Sequence, residues 1–425
     1  MSVPLRPIMS ALTRHKAGVL LIALQVALTL AIVANAIFVI SQRIAYISRP
    51  SGVDESNIVI VDNRWVETLT FEQAQAKTAA DLAMLRQLPA VADAYADYSF
   101  PVAGPWADVW GISLNVGQKS PTSFSEPYYT DEHALVTYGI RLLAGRNFRA
   151  DEVASGSQLE QPKSGPIIIT QDLAKKLFPE GSSLGKTIYI GGVGHDIIGI
   201  ISDMEVPSVG TRSFAYRSVL SPIRLADLGG DQYIVRAKPG QAEYLRKNLA
   251  AALYQISRMR VIDAVGGVQS FQALRSKAYS RDRGLVVLLS AASIILLLAT
   301  AGGIIGITVY WIDERRQQIG LRRALGAKRL EILAHILTEN FCIVFMGICV
   351  GSLLAFAVNV ALMHYLEMTS LPASYIALGS AQLLIVGQCA ALTQARRAAR
   401  MSPMEATRAS SLVNPYNLIV EERRG

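Results

Sequence analysis

Four apolar runs divide the chain. Residues 17–40 carry no charged side chain and are long enough to cross a hydrocarbon core of about 30 Å. Residues 284–311 are also uncharged, residues 333–364 contain Glu339 as their one acidic group, and residues 373–393 form the fourth run. Gln382 and Gln388 dilute that last run, with Gln394 just beyond it, so a helix lying in the interface is its alternative reading. A cleaved signal peptide is a poor account of the first run, which exceeds a typical apolar region of that kind and ends in Ser41-Gln42-Arg43 instead of a small-residue cleavage site. Between the first two runs, residues 41–283 offer no further span and must lie across the membrane from the N-terminus. Apolar stretches at 58–61, 167–169, 187–190 and 197–201 predict strands there. The segments 72–88, 171–177 with Thr170 as N-cap, and 241–257 predict helices. The expected fold is therefore an α-helical four-span transmembrane domain with a large α+β extracytoplasmic domain between spans one and two. Its loop 155–165 and aromatic-rich stretch 98–138 are the expected mobile or partner-facing parts.

Charge fixes the orientation. The net charge of +8 would suggest nucleic acid, yet a mean hydropathy of +0.31 with 17% charged residues describes a membrane protein. Residues 41–283 hold 26 Lys/Arg against 25 Asp/Glu, so the outer domain is nearly neutral. The excess sits beside the spans: three basic residues and no acid in 1–16, six against two in 312–330, and Arg396, Arg397, Arg400 and Arg408 in the tail 394–425. The positive-inside rule then places both termini and the 312–330 segment in the cytoplasm, and excludes nucleic acid as the reason for the charge. Pro4 and Pro7 precede a helical pattern, so 1–16 reads as an amphipathic segment on that face.

Little in the chain invites catalysis. Cys342, Cys349 and Cys389 all fall in apolar runs and read as buried small apolar groups. The five histidines are scattered, and His195 beside Asp196, ahead of a strand, reads as part of a solvent-facing turn, with a polar pair as the alternative. Gly181-Ser182-Ser183-Leu184-Gly185-Lys186-Thr187 resembles a phosphate loop but has three residues between its glycines where four are needed. No catalytic group, metal or bound cofactor is expected. Polar and small residues inside the spans are better candidates for helix contacts: Gln25 and Asn35 in the first, Gly302, Gly303 and Gly306 in the second. Glu339 is either a functional intramembrane carboxylate or an interfacial acid paired with an arginine such as Arg322. The 312–330 segment reads as a short basic helix at the cytoplasmic surface, with Ile319, Leu321 and Leu325 as its apolar residues and Gly326 closing it.

That segment also carries a resemblance. Glu314-Arg315-Arg316-Gln317-Gln318-Ile319-Gly320-Leu321-Arg322-Arg323-Ala324-Leu325-Gly326-Ala327 resembles the E-R-x-x-E-I-G-L-R-R-A-L-G-A run after the second span in permease subunits of the MacB/FtsX family of ABC transporters, with Gln318 replacing the second acid. The tail from Ala395 to Arg408 is similar to the family's ending, with Thr407 in place of a leucine. Gly139, Leu143, Gly145, Arg146, Phe148 and Asp151, followed by Leu173, Ala174, Leu177, Phe178, Pro179, Leu184, Gly185, Lys186 and Ile198-Gly199-Ile200-Ile201, match its periplasmic core pattern. The resemblance implies a bacterial inner-membrane permease without a Walker motif of its own, pairing with a second permease chain, identical or not, through spans one and two. It implies a dimeric cytoplasmic ABC ATPase as partner, which binds ATP and Mg and docks on a coupling helix comprising Glu314, Arg315, Ile319, Gly320, Leu321, Arg322, Arg323, Leu325 and Gly326. It further implies transmission of motion to the outer domain, as in type VII transporters, for export or extraction of a peptide, lipid, lipoprotein or small molecule, with a periplasmic adaptor and outer-membrane channel as further partners. Activation of an envelope hydrolase by the same stroke, and a membrane sensor working without ATP, are the alternatives.

Overall fold

The computed structural model describes residues 16–97, 99–102, 109–156, 164–208, 213–366 and 370–400; the side chains of residues 225, 323, 365 and 366 also lie outside the description. The expected amphipathic segment therefore falls outside it but for Lys16, as does the tail beyond Arg400. The chain divides into two compact units, one holding the apolar helices and the other Ser48–Arg281.

In the first unit four helices are long and apolar enough to span a bilayer: Lys16–Ile47, Ser280–Glu314, Arg329–Leu366 and Ala373–Arg400, called here spans 1 to 4. Each runs past its apolar stretch, because no glycine or proline interrupts the polar residues that follow and a helix meets its own backbone hydrogen bonds. Span 1 thus continues through Arg43, whose guanidinium bonds Asp282 near the start of span 2 at 2.7 Å. Span 1 is the central helix: 56% of its most apolar stretch is buried by the rest of the chain, against 11% for span 2. Ile22, Val26, Leu30 and Phe38 of span 1 share one core with Ile304 of span 2, Ile343 and Val344 of span 3, and Leu383 of span 4. In lipid such packing has no hydrophobic drive of its own, so close backbone approach matters more. Gly347 and Gly351 of span 3 supply it, since a Cβ at either would stand 2.8 Å from a span 1 carbonyl, Ala23 or Ala27.

The outer unit has two halves. In the first, Ile58–Asp62, Val91–Asp97, Gln232–Ala237 and Val268–Ser270 form an antiparallel sheet. Numbered by their order in the sequence they lie 4-1-3-2, with helix Phe71–Gln87 between the first two and helix Ala242–Ile256 between the last two. This is a split βαβ arrangement, and everything between its second and third strands is one long insertion. Ile58–Asp62 is apolar on both faces because both are covered: Val59 and Val61 pack with Leu82, Leu85, Leu245 and Leu249 of the helices, while Ile58 and Ile60 are buried on the other side. Thr70 and Gln73 start the first helix with a reciprocal capping box.

The insertion forms the second half. Trp110–Ser113, Ser123–Tyr129, Gly165–Thr170, Thr187–Ile190, Val193–Ile201 and Ser218–Ser221 pair in a ring, closed by Thr187–Ile190 joining Val193–Ile201 to Trp110–Ser113, and Leu142–Gly145 adds a seventh strand outside it. Ile112, Ile167, Ile169, Ile188, Ile190, Ile197 and Val219 form its core. Closure removes most exposed strand edges.

Several expectations fail here. The 98–138 stretch is a structural part of this half where described: it supplies two strands, and Tyr128 and Tyr138 are fully buried. His195 is no turn residue, because the strand begins at Val193 and its alternation turns His195 inward. Thr170 precedes helix Gln171–Leu177, but its hydroxyl donates to the Tyr216 carbonyl at 2.6 Å instead of capping. The Asp203 carboxylate takes up that helix's Asp172 N–H at 2.7 Å.

Candidate coupling site

Between spans 2 and 3 the chain folds as a nine-residue helix, Arg316–Ala324. Backbone bonds from Arg315 N–H to Trp311 and from Ile319 N–H to Arg315 carry span 2 into it with little break. It ends at Gly326, whose φ of +99° is the left-handed conformation, and the Ala327 N–H reaches back to the Arg322 carbonyl at 3.0 Å. That six-to-one bond is a Schellman closure, which explains glycine there.

The helix has two faces. On one, Gly320 is buried and Ile319 half-buried, beyond buried Trp311 and Ile312 at the end of span 2. Leu321 and Leu325, one turn apart, are 64% and 80% exposed, flanked by exposed Gln317, Gln318 and Arg322, with exposed Glu314 at the end of span 2. Gln318 therefore makes no demand on the fold in place of the family's acid.

Glu339, ten residues into span 3, is buried, and both its oxygens accept from one nitrogen of Arg315, at 3.0 and 3.1 Å. Its partner is thus Arg315 and not Arg322, because Arg315, directly after span 2, reaches span 3 whereas Arg322 lies two turns on and is exposed. A lone carboxylate at that depth is costly, and the arginine compensates it. The pair fastens the root of the short helix to span 3.

Further polar contacts tie the spans together. Gln25 donates to the Ala299 carbonyl at 3.0 Å, and the hydroxyls of Thr29 and Thr300 meet at 2.9 Å, linking spans 1 and 2. Asn35 donates to Ala31 of its own helix and to Ala355 of span 3, and Asn340 of span 3 donates to Gly387 of span 4. At about 0.6 kcal/mol each, such bonds fix the register of the helices more than they stabilise them. Gly303 faces Gln25, a Cβ there falling 2.5 Å from its Oε1, but Gly302 and Gly306 have nothing within 4 Å. The small-residue pattern the chain uses internally is Gly347-x-x-x-Gly351, which the sequence displays as plainly as Gly302-x-x-x-Gly306.

Among the described residues, no arrangement for catalysis accompanies these features. The Gly181–Thr187 segment is a turn that feeds strand Thr187–Ile190, with Gly181 and Gly185 at positive φ. Its letters also spell Gly-x-Ser-x-Gly around Ser183, yet a nucleophile elbow opens a helix, and Ser183 is buried ahead of a strand. Burial depresses the His195 imidazole below its usual range and keeps it neutral. His133 is raised by its bond to Asp93, 2.9 Å away, inside an ionic network with Arg86, Asp131, Glu132 and Arg224. Among the described residues no group of three or more His, Cys, Asp or Glu could hold a metal. Cys349 and Cys389 are exposed on their helices, not buried as expected.

The model of the MacB-like periplasmic core domain matches residues 18–252, and that of the FtsX-like permease C-terminal domain matches residues 290–403. The macrolide export ATP-binding/permease protein MacB of Chromobacterium violaceum is 24% identical over 277 residues, 63% of this chain and 41% of that protein. The uncharacterized ABC transporter permease YvrN of Bacillus subtilis is 26% identical over 297 residues, 67% of this chain and 70% of its own length. The match thus spans under half of MacB and more than two thirds of YvrN. The solved periplasmic region of MacB from Actinobacillus actinomycetemcomitans overlaps 55% of this chain and 97% of that chain at 17% identity, with a TM-score of 0.32. The two family models together span the outer domain and the membrane helices, and the chain belongs to the MacB/FtsX family of ABC transporter permeases.

Proposed function

We propose that this chain is the permease subunit of a mechanotransmitting, type VII ABC transporter. The observation that carries the reading is the short basic helix: it continues span 2, is fastened to span 3 by Arg315 and Glu339, and turns Leu321 and Leu325 outward where the fold does not use them. An apolar pair ringed by polar residues on a rigid mount suits a docking knob for a cytoplasmic ATPase, which binds ATP and Mg and supplies the hydrolysis. A second permease chain completes the unit, both termini and the basic helix face the cytoplasm, and the outer domain faces the periplasm across the inner membrane. The polar contacts among spans let them move as a body, so that motion at the helix reaches the outer domain and drives export or extraction of an envelope substrate. An adaptor and an outer-membrane channel fit the same scheme.

Purification of the detergent-extracted chain tests this. An ABC ATPase is expected to co-elute, with its hydrolysis rate altered by the chain. A chain that brings down no ATPase, and leaves the activity of the ATPase produced beside it unchanged, sinks the transporter reading in favour of a sensor. An ATPase that couples to an envelope hydrolase instead of substrate release favours the regulator.

A further inference from the structure

The outer unit is entered by the residues after span 1 and left by those before span 2, and both segments converge on one buried carboxylate. Glu205, 1% exposed, belongs to the barrel half, following strand Val193–Ile201. Its Oε1 accepts from the hydroxyl of Tyr279, the residue immediately before span 2, at 2.9 Å, and lies 3.7 Å from Nε of Arg49, two residues after span 1. Its backbone joins the same meeting: the Glu205 N–H donates to the Ser51 carbonyl at 2.9 Å, and the Tyr128 hydroxyl donates to the Glu205 carbonyl at 2.5 Å. Arg275 closes the other side by bonding both the Arg49 carbonyl and the Glu55 carboxylate. The Tyr216 hydroxyl holds the Pro50 carbonyl at 3.0 Å. Gly52 lets the incoming segment press against the barrel, because at its φ of +82° a Cβ would fall 2.1 Å from the Asp203 carbonyl.

Resting on the transmission reading above, we infer that Glu205, with Arg49, Arg275 and Tyr279, is the junction through which displacement of spans 1 and 2 enters the outer domain. The physical reason is that a buried carboxylate cannot exchange its protein partners for water without a large desolvation penalty, so a shift of either connecting segment must drag Glu205, and the strand Val193–Ile201 that leads to it, along. An apolar contact could slip. A buried, hydrogen-bonded carboxyl group transmits.

The test uses the full chain in complex with its ATPase, in nanodiscs, as wild type, Glu205→Gln and Tyr279→Phe. Amide exchange is compared between ADP and ATP plus vanadate for residues 48–57, 123–129 and 201–206, alongside stimulation of the ATPase. In the wild type, exchange in all three segments is expected to change with nucleotide. In each variant the change in 123–129 and 201–206 is expected to fall roughly fivefold or more, the range of a lost coupling energy, while ATPase stimulation and exchange in Val91–Asp97 stay as in the wild type. Tyr279→Phe removes a single hydroxyl, so it reports even where Glu205→Gln impairs folding. Nucleotide-dependent changes of wild-type size in a folded variant overturn this junction and leave the transmission reading standing. A wild-type complex whose outer domain ignores nucleotide overturns the transmission reading and this inference with it.

Discussion

Leu325→Asp tests the docking role proposed for the basic helix. The side chain is 80% exposed and its fold contribution is the backbone bond from its N–H to the Leu321 carbonyl at 3.0 Å, which the substitution leaves in place. Surface changes of that kind move stability by within about 0.5 kcal/mol. Docked in a pocket of the ATPase, the leucine would contribute about 1.5–3 kcal/mol by burial. Replacing it with a carboxylate adds the cost of an unpaired charge at the contact, so a loss of at least ~2–3 kcal/mol is expected, or roughly 30- to 150-fold in affinity. The assay is titration of the ATPase against the chain in nanodiscs, reading the concentration for half-maximal stimulation, with thermal unfolding as the control. Leu325→Met, which keeps volume and apolarity, is expected to stay near the wild type. A folded Leu325→Asp chain with an unchanged half-maximal concentration refutes the reasoning and removes this helix from the docking surface.

Gly351→Leu is expected to break span packing, because the carbonyl of Ala27 that it would strike is backbone and cannot move aside; a loss of about 1–3 kcal/mol or more should show as early aggregation on heating in detergent, whereas Gly306→Leu should leave a single chain's stability unchanged. Asp81→Ala leaves Arg260 buried without the carboxylate that meets it at 2.7 and 2.9 Å, with side chains 1% and 0% exposed, so a cost of about 3–5 kcal/mol is expected in the unfolding of the outer domain. Asp231 sits at about 6 because burial outweighs its bonds from Thr78 and the Asp227 N–H, and its ordinary value is 3.8. A carboxyl raised on folding costs nothing where both states are protonated, and its penalty grows as pH rises from 3.8 toward 6. Asp231→Asn should therefore match the wild type near pH 4 and exceed it by roughly 1–3 kcal/mol near pH 8, as read from thermal unfolding at the two values; equal effects at both would exclude ionised Asp231 as the cause.

What the sequence determined by itself is local or additive. A run such as 17–40 must be a helix wherever it is dry, since only a helix meets its own backbone hydrogen bonds, and the excess of basic residues beside it predicts which side it enters from. Gly326 and the basic residues before it announce the short helix for the same reason, and motifs such as Gly320-Leu321-Arg322-Arg323 carry the family. Partnership is different, because it depends on which faces meet. Two Gly-x-x-x-Gly patterns look alike on paper, yet only Gly347 and Gly351 lie against the backbone of span 1. Glu339 finds Arg315 and not Arg322 because Arg315, directly after span 2, meets span 3 while Arg322 is exposed on the short helix. The most distant case is Glu205: nothing near it in sequence marks it, and only the tertiary fold brings Arg49 and Tyr279, 230 positions apart, to one carboxylate.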